Sequence, residues 1–228
     1  MCTVHVEIGP GCIEVVATDG NRLAAEKRAL STGKHCAAYE INLAPAEADA
    51  LVTRRPSGFL ELAEGRPAIA TVNSPIYEGA KTKDAQGKDV DVQFPDWRHL
   101  VPTWGMGQIT FSNRATRKLR ATVRKTCKRE VVTDRLTFDY DALTIQPHGT
   151  DKLRGLYNLP LAEPEKLLGR SSARTAFVLY FNPRYLRDAL SSIPSSDVII
   201  EYGNHDFDPI VIRNEDRSSL RLIMPMKE

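Results

Sequence analysis

Residues 113–129 read NRATRKLRATVRKTCKR and contain eight basic side chains and no acidic one. At about 100° per residue, small and apolar side chains fall on one arc of a helix. This inner arc holds Ala115, Leu119, Thr122, Val123, Thr126 and Cys127. The opposite arc holds Arg114, Arg117, Lys118, Arg120, Arg124, Lys125, Lys128 and Arg129. With Ser112 or Asn113 as its N-cap, the segment is predicted to be an amphipathic helix with a wholly basic face.

The charge of this segment indicates a polyanionic partner. The formal net charge of the chain is +2, so the other 211 residues carry −6 once these eight cations are set aside. Charged helix surfaces are usually only solvated, but here no Glu or Asp stands at i±4 to pair with the cations. The basic arc has no aromatic side chain for base stacking. We therefore expect sequence-independent, salt-sensitive contacts with a nucleic-acid phosphate backbone.

The composition is that of a globular protein without a membrane span. The chain has 228 residues, of which 42% are hydrophobic and 26% charged, and no run of 18 apolar residues occurs. The first residues show no signal-peptide pattern, so a cytoplasmic location is expected. The four cysteines stand at positions 2, 12, 36 and 127. No two of them form a CxxC pair, so we expect free thiols. No cofactor is expected.

The order of predicted elements indicates an α+β fold built on a repeat of strand, helix and three strands. One whole double repeat spans about 108–228, and its second helix begins with Asn182 as N-cap and Pro183 at its first position. A shorter version precedes it, with a helix that opens at Pro45 and a polar loop at 81–92. The sequence therefore predicts two related domains, 1–103 and 104–228, and the first lacks its opening helix.

Motifs that suggest catalysis are incomplete. Gly203-Asn204-His205-Asp206 matches the GNHD element of calcineurin-like metallophosphoesterases, whose two-metal site activates water. The companion D-x-H and G-D-x-x-D elements are absent, so we read these residues as a polar turn between strands. The acidic pairs in Asp89–Asp91 and Asp139–Asp141 are more typical of loops and strand surfaces than of metal sites. The sequence predicts a non-catalytic protein without a bound metal.

Four segments, in the same order, resemble the bacterial DNA sliding clamp, the β subunit of DNA polymerase III. VVATDGNRLA at 15–24 is similar to the family's V-A-T-D-G-H-R-L-A, and FPDWR at 94–98 with the later Pro102 is similar to its F-P-D-Y-R…P connector. FNPRYL at 181–186 is similar to F-N-x-x-Y-L, and LIMPMK at 222–227 is similar to the C-terminal V-M-P-M-R.

The resemblance implies two clamp-like domains with helices on the inner face of a ring and antiparallel sheets outside. It implies a processivity factor that tethers a DNA polymerase or repair proteins to double-stranded DNA, independent of sequence, and that also binds clamp-loader subunits. These partners would dock through short Leu/Phe-rich motifs in a hydrophobic cleft. By matched position the cleft comprises Thr18, Gly20, Arg22, Leu23, Pro102, Asn182, Tyr185, Ile223, Met224, Pro225 and Met226.

The departures from the family concern assembly. Clamps of this family have three domains per chain, so a homo-oligomer of three two-domain chains, or a dimer, is expected here. Asn21 replaces the family's His, and the chain ends on the acidic Glu228. Without the opening helix, an apolar sheet face of the first domain needs another cover. A clamp-like adaptor that binds such peptides without encircling DNA is therefore the alternative, and a metallophosphoesterase is a distant third.

Overall fold

The computed structural model divides the chain into two compact units, Met1–Trp97 and Arg98–Glu228. It describes residues 3–29, 39–54, 81–83, 89–91, 93–102, 107–127, 133–139, 142–148, 157–160, 177–203, 205 and 207–226. The division between the units falls within the connector segment that the sequence placed before residue 103.

The first unit begins with an antiparallel meander. Its elements are β1 Thr3–Gly9, β2 Cys12–Thr18, β3 Arg22–Ala29, β4 Tyr39–Leu43, α1 Pro45–Arg54, β5 Lys81–Lys83 and β6 Asp89–Asp91, followed by a 3-10 turn at Trp97–Leu100. The first four strands are hydrogen-bonded in the order β4-β1-β2-β3. Alternation along β1 places Val6 and Ile8 on one face, where they form a core cluster with Ile41 and Leu43.

Helix α1 covers part of this apolar face. Ala50 packs against the core cluster, so α1 supplies some of the cover that the sequence left unassigned. The helix starts where the sequence predicts, with Pro45 at its first position. The Ala44 backbone N–H donates to the Glu47 carboxylate at 2.7 Å, and this bond satisfies a donor at the helix start.

The connector begins on the opposite face of the same sheet. His5 lies on this face, and its ring stacks on Phe94 with ring centroids 4.9 Å apart. The His5 ring nitrogens lie 2.7 Å from Asn42 Oδ1 and 3.0 Å from Glu7 Oε1. Trp97 is buried three residues after Phe94. These contacts hold the connector segment against the first unit.

The second unit contains the strand-helix-three-strand pattern twice. The first copy is β7 Gly107–Phe111, α2 Asn113–Cys127, β8 Thr133–Asp139, β9 Ala142–His148 and β10 Tyr157–Pro160. The second copy is β11 Phe177–Phe181, α3 Pro183–Ser192, β12 Val198–Tyr202, β13 Ile210–Arg213 and β14 Ser219–Ile223. The strand before each helix pairs with the other copy, since β7 pairs with β12 and β11 pairs with β8.

One core joins the two helices to the strands of this unit. Leu119 and Val123 of α2 and Leu186, Ala189 and Leu190 of α3 are buried in it. The other buried members come from β7, β11, β12, β13 and β14, and from Ile193 just after α3. The two helices are antiparallel, because the Cys127 thiol at the end of α2 donates to the Pro183 carbonyl at the start of α3.

Most predicted elements within the described residues are observed, with two differences. The predicted polar loop at 81–92 contains the short hairpin β5–β6, in which Lys81 opposes Asp91 and Lys83 opposes Asp89. The sequence also predicts a polar region that extends to about residue 172, and strand β10 lies within it. It further predicts strands at 58–63, 67–72 and 75–80, which lie outside the described residues. Within the described part of the chain, no helix is long and apolar enough to cross a membrane.

Gly107 gives a first testable prediction. It is paired with Tyr202 across β7 and β12, and a Cβ at this position would overlap the Tyr202 ring. We expect Gly107→Ala to lower the free energy of unfolding by about 1–3 kcal/mol, since overpacking forces the backbone or the ring to move. Urea denaturation measures the loss. In a Tyr202→Ala background the same substitution should cost much less, and an equal cost in both backgrounds would contradict the proposed overlap.

Candidate functional site

The exposed face of α2 is uniformly basic over the described residues. Arg114, Arg117, Lys118, Arg124 and Lys125 are exposed, and within the described residues none of them has an ion-pair partner. The opposite face is buried in the core through Leu119 and Val123. The helix is therefore oriented as the sequence predicts, and five like charges lie on its solvent side.

Local hydrogen bonds fix where this helix begins. The Ser112 carbonyl accepts the Thr116 backbone N–H at 2.8 Å, and the buried Thr116 hydroxyl donates to the Phe111 carbonyl at 3.0 Å. These bonds join the first turn of α2 to the end of β7. These bonds therefore set the position of Arg114, the first basic residue of the helix, relative to the sheet.

Arg120 departs from the predicted phosphate-contacting set. Its Nε donates to the Leu190 carbonyl at 2.8 Å, and its Nη2 donates to the carbonyls of Ile193 and Ser195 at 3.1 Å each. On a helix of 3.6 residues per turn, Arg120 lies roughly 100° from the centre of the basic face. It therefore reaches α3 instead of solvent, and we remove it from the proposed DNA surface. Lys128 and Arg129 lie outside the described residues.

Helix α3 presents a weaker version of the same pattern. The sequence FSNRATR at 111–117 corresponds to FNPRYLR at 181–187, so Arg184 and Arg187 stand where Arg114 and Arg117 stand on α2. Arg184 is exposed. Arg187 is paired with Asp188 at 2.7 Å, which offsets its charge. The concentrated positive charge of the second unit therefore belongs to α2.

The predicted peptide-cleft residues of the first unit form one turn. The Thr18 hydroxyl donates to the Arg22 carbonyl at 2.9 Å and accepts the Gly20 N–H at 3.2 Å. Gly20 has φ +89°, a conformation that favours glycine. The Arg22 Nε donates to the Asp19 carboxylate at 2.8 Å, and Leu23 is buried. The residues therefore shape the turn, and the Arg22 side chain is the half-exposed group among them.

The Asp19 carboxylate makes this turn pH-sensitive. Partial burial alone would raise its pKa, but the Arg22 side chain and the N–H groups of Asn21 and Arg22 together lower the pKa below 3.8. The turn hydrogen bonds are therefore complete at neutral pH and are lost as pH falls through this lowered pKa. We expect the amide resonances of Asn21 and Arg22 to titrate with a midpoint below 3.8. Asp19→Asn should abolish this titration, and a midpoint above 3.8 would contradict the assignment.

The predicted cleft residues of the second unit lie around the start of α3 and the C-terminal segment. Asn182 caps α3, since its Oδ1 accepts the Arg184 N–H at 2.9 Å, and Tyr185 packs against the core. Ile223 is buried, whereas Met224 and Met226 are each 37% exposed. The Met226 N–H donates to the Tyr180 carbonyl at 2.7 Å. This bond holds the exposed methionines near the start of α3. The two remaining members, Pro102 in the connector and Pro225 between the methionines, are half-buried.

Phe207 is an exposed apolar residue that the sequence analysis missed. It lies in the connection between β12 and β13 and is 70% exposed. Ile210 pairs with both Tyr202 and Ile223, so Phe207 and Met224 follow strand ends at the same end of the sheet. The sequence signal for this exposed residue is a phenylalanine within the otherwise polar stretch 203–209.

The GNHD stretch is a turn in the described part of its backbone. It lies between β12 and β13, as predicted. The His205 N–H donates to the Asp208 carboxylate, and the Asp208 N–H donates to the His205 carbonyl, at 3.0 Å each. Asn204 and Asp206 lie outside the described residues. Among the residues the structure describes, no group of three or more His, Cys, Asp or Glu side chains could hold a metal ion. Cys12 and Cys127 are not in disulfide bonds, and the other two cysteines are not described.

Comparison with solved structures identifies the fold as that of the bacterial DNA sliding clamp. A DNA polymerase III β subunit from Pseudomonas aeruginosa superposes with a TM-score of 0.71 at 17% identity, over 98% of this chain and 58% of the other. The β subunit from Thermotoga maritima gives 0.67 at 16%, over 99% and 57%. A P. aeruginosa clamp bound to griselimycin gives 0.69 at 18%, over 99% and 57%.

The predicted resemblance and the predicted α+β clamp fold are confirmed. The chain spans about 57% of the length of these clamps. The sequence matches no protein-family profile, and no curated protein matches it.

Proposed function

We propose that this chain is a sliding clamp, a non-catalytic processivity factor that tethers a polymerase or repair protein to duplex DNA. The observation that carries the proposal is the uniformly basic exposed face of α2 on a clamp-fold scaffold. A clamp has to stay on DNA while it moves along it. Phosphate contacts without base readout satisfy both requirements, because every position on the duplex offers the same charge.

The second part of the proposal is a peptide-docking surface. In the second unit the exposed side chains of Met224 and Met226 lie near the capped start of α3. Methionine adapts to varied apolar side chains, so this surface suits short Leu/Phe-rich motifs of a polymerase or clamp-loader subunit. Phe207 extends the apolar area at the same end of the sheet. The residues of the Thr18–Arg22 turn and Pro102 belong to this proposal only by their resemblance to the family.

The proposed assembly is a homo-oligomer in the cytoplasm. Three two-unit chains, or a dimer, would supply the units of a ring around DNA. The alternative is a clamp-like adaptor that binds such peptides as a monomer without encircling DNA. This alternative needs only the exposed Met224 and Met226 and not the basic face of α2.

Solution molar mass, measured with and without a labelled Leu/Phe-rich peptide, separates the two candidates. A dimer or trimer that binds DNA with a steep salt dependence supports the clamp. A monomer that binds the peptide but not DNA supports the adaptor. Binding of neither ligand contradicts both proposals. Manganese-dependent phosphodiesterase activity that His205→Ala removes would instead support the enzyme interpretation.

A further inference from the structure

Helix α3 ends without a backbone capping motif. Its last residue is Ser192, and Ile193 is already extended, with φ −77° and ψ 122°. The carbonyls of the last turn of a helix lack intrahelical donors, and no glycine in the left-handed conformation closes this end. Pro194 follows and offers no N–H. The Ala189 carbonyl accepts the Ser192 hydroxyl at 3.1 Å, and the later carbonyls require donors from elsewhere in the fold.

Two arginines from different elements supply these donors. Arg120 of α2 donates to the carbonyls of Leu190, Ile193 and Ser195. Arg221 of β14 donates from Nη2 to the Ser192 carbonyl at 3.1 Å and from Nε to the Ser192 hydroxyl at 2.8 Å. Positive charge at a helix C-terminus also opposes the helix dipole favourably. The end of α3 is thus tied to α2 on one side and to β14 on the other.

The chemistry of these contacts requires arginine. A guanidinium has five donors in a planar fork, so it reaches carbonyls that lie in different directions. Arg221 is only 8% exposed and also donates from Nη1 to the Leu220 carbonyl at 2.8 Å. Lysine would keep the charge but would not place donors on all these acceptors.

We propose that Arg120 and Arg221 are positioning residues of the peptide-docking surface, an inference that rests on the proposed peptide function. Helix α3 carries Asn182 and Tyr185 at its start, and β14 continues directly into Met224 and Met226. Arg221 joins α3 to β14 at the far end of the helix, and the Met226–Tyr180 hydrogen bond joins the tail to β11 just before α3. Contacts at both ends of α3 therefore hold it against β14 and against the C-terminal segment that carries the two methionines.

The test compares Arg221→Met with Arg213→Met in the full chain. Arg213 is a matched control because it is also largely buried and bonded, to Glu201 at 2.8 Å. It pairs in register with Leu220, so it lies on the sheet face opposite Arg221 and away from α3. Both variants should melt at lower temperature than the wild type. Hydrogen exchange of α3 and affinity for a fluorescein-labelled Leu/Phe-rich peptide are then measured at least about 15 °C below each melting temperature.

We expect only Arg221→Met to speed exchange across 183–193 and at Met226, and to weaken peptide binding about tenfold. Arg221→Lys should recover part of the melting temperature but little of the affinity. Arg120→Met, compared with the same Arg213→Met control, should show the same contrast. Unchanged exchange and affinity in Arg221→Met, or equal losses in Arg213→Met, would overturn the inference. A wild-type chain that fails to bind the peptide refutes the docking surface instead, and the exchange comparison still decides whether the arginines fix α3.

Discussion

Replacing Arg117 and Arg124 with Glu is expected to remove most DNA binding while the chain stays folded. Both side chains are exposed on α2, seven residues apart on the same face. Each reversal removes a phosphate contact and adds a repulsive charge, so affinity at about 0.1 M salt should fall about 100-fold. The slope of log affinity against log salt should also become less negative, by about 1 per lost contact. Fluorescence anisotropy on a duplex of arbitrary sequence measures both quantities.

A matched control separates this local effect from net charge. Lys27 and Arg28 lie at the exposed end of β3, in the other unit, and their reversal to Glu changes the net charge equally. We expect this control to retain most of its DNA affinity. Arg120 is left unchanged in both variants because its hydrogen bonds belong to the fold. Equal losses in the two variants would mean that overall charge, and not the α2 face, attracts DNA.

Removal of residues 224–228 is expected to abolish peptide docking. The cut must follow Ile223, because the Ile223 side chain is buried in the core of the second unit and its removal would unfold that core. Burial of a methionine side chain contributes about 1.5–3 kcal/mol. Loss of the two exposed methionines should therefore weaken binding of a Leu/Phe-rich peptide by about 100-fold or more. Isothermal titration calorimetry measures the change.

Two further variants show whether the methionines themselves are responsible. Deletion of only Lys227 and Glu228 leaves the Met226–Tyr180 hydrogen bond in place and should not affect docking. Met224→Ser with Met226→Ser keeps the chain length and the backbone bond but removes the apolar side chains, and it should weaken docking as the long deletion does. Strong peptide binding by the double serine variant would contradict the proposed surface.

The repeating architecture of the second unit could be predicted from the sequence because its signals are local. Apolar spacing and the absence of acids set the two faces of α2, and Asn182-Pro183 marks the start of α3. The pairing of β7 with β12 and of β11 with β8 could not be predicted in this way. Strand partners that are far apart in sequence are chosen by packing across the whole unit.

The sites show the same limit. Five side chains of the predicted basic arc are exposed, but Arg120 does not belong to that exposed face. Helical periodicity does not reveal that the last carbonyls of α3 lie within reach of its guanidinium. Phe207 was missed because a single apolar residue in a loop carries no periodic signal. Its proximity to the end of β14 follows only from the pairing of Ile210 with both neighbouring strands.

We propose that several copies of this chain together surround duplex DNA and stay on it mainly by topology. A linear duplex with one end fixed to a bead and the other open is incubated with the chain, and the open end is then blocked. We expect the chain to remain on the blocked duplex in about 1 M salt, which screens phosphate contacts, and to leave when a restriction enzyme cuts the DNA. Release by salt alone before cutting, or equal retention on open and blocked duplexes, would contradict it.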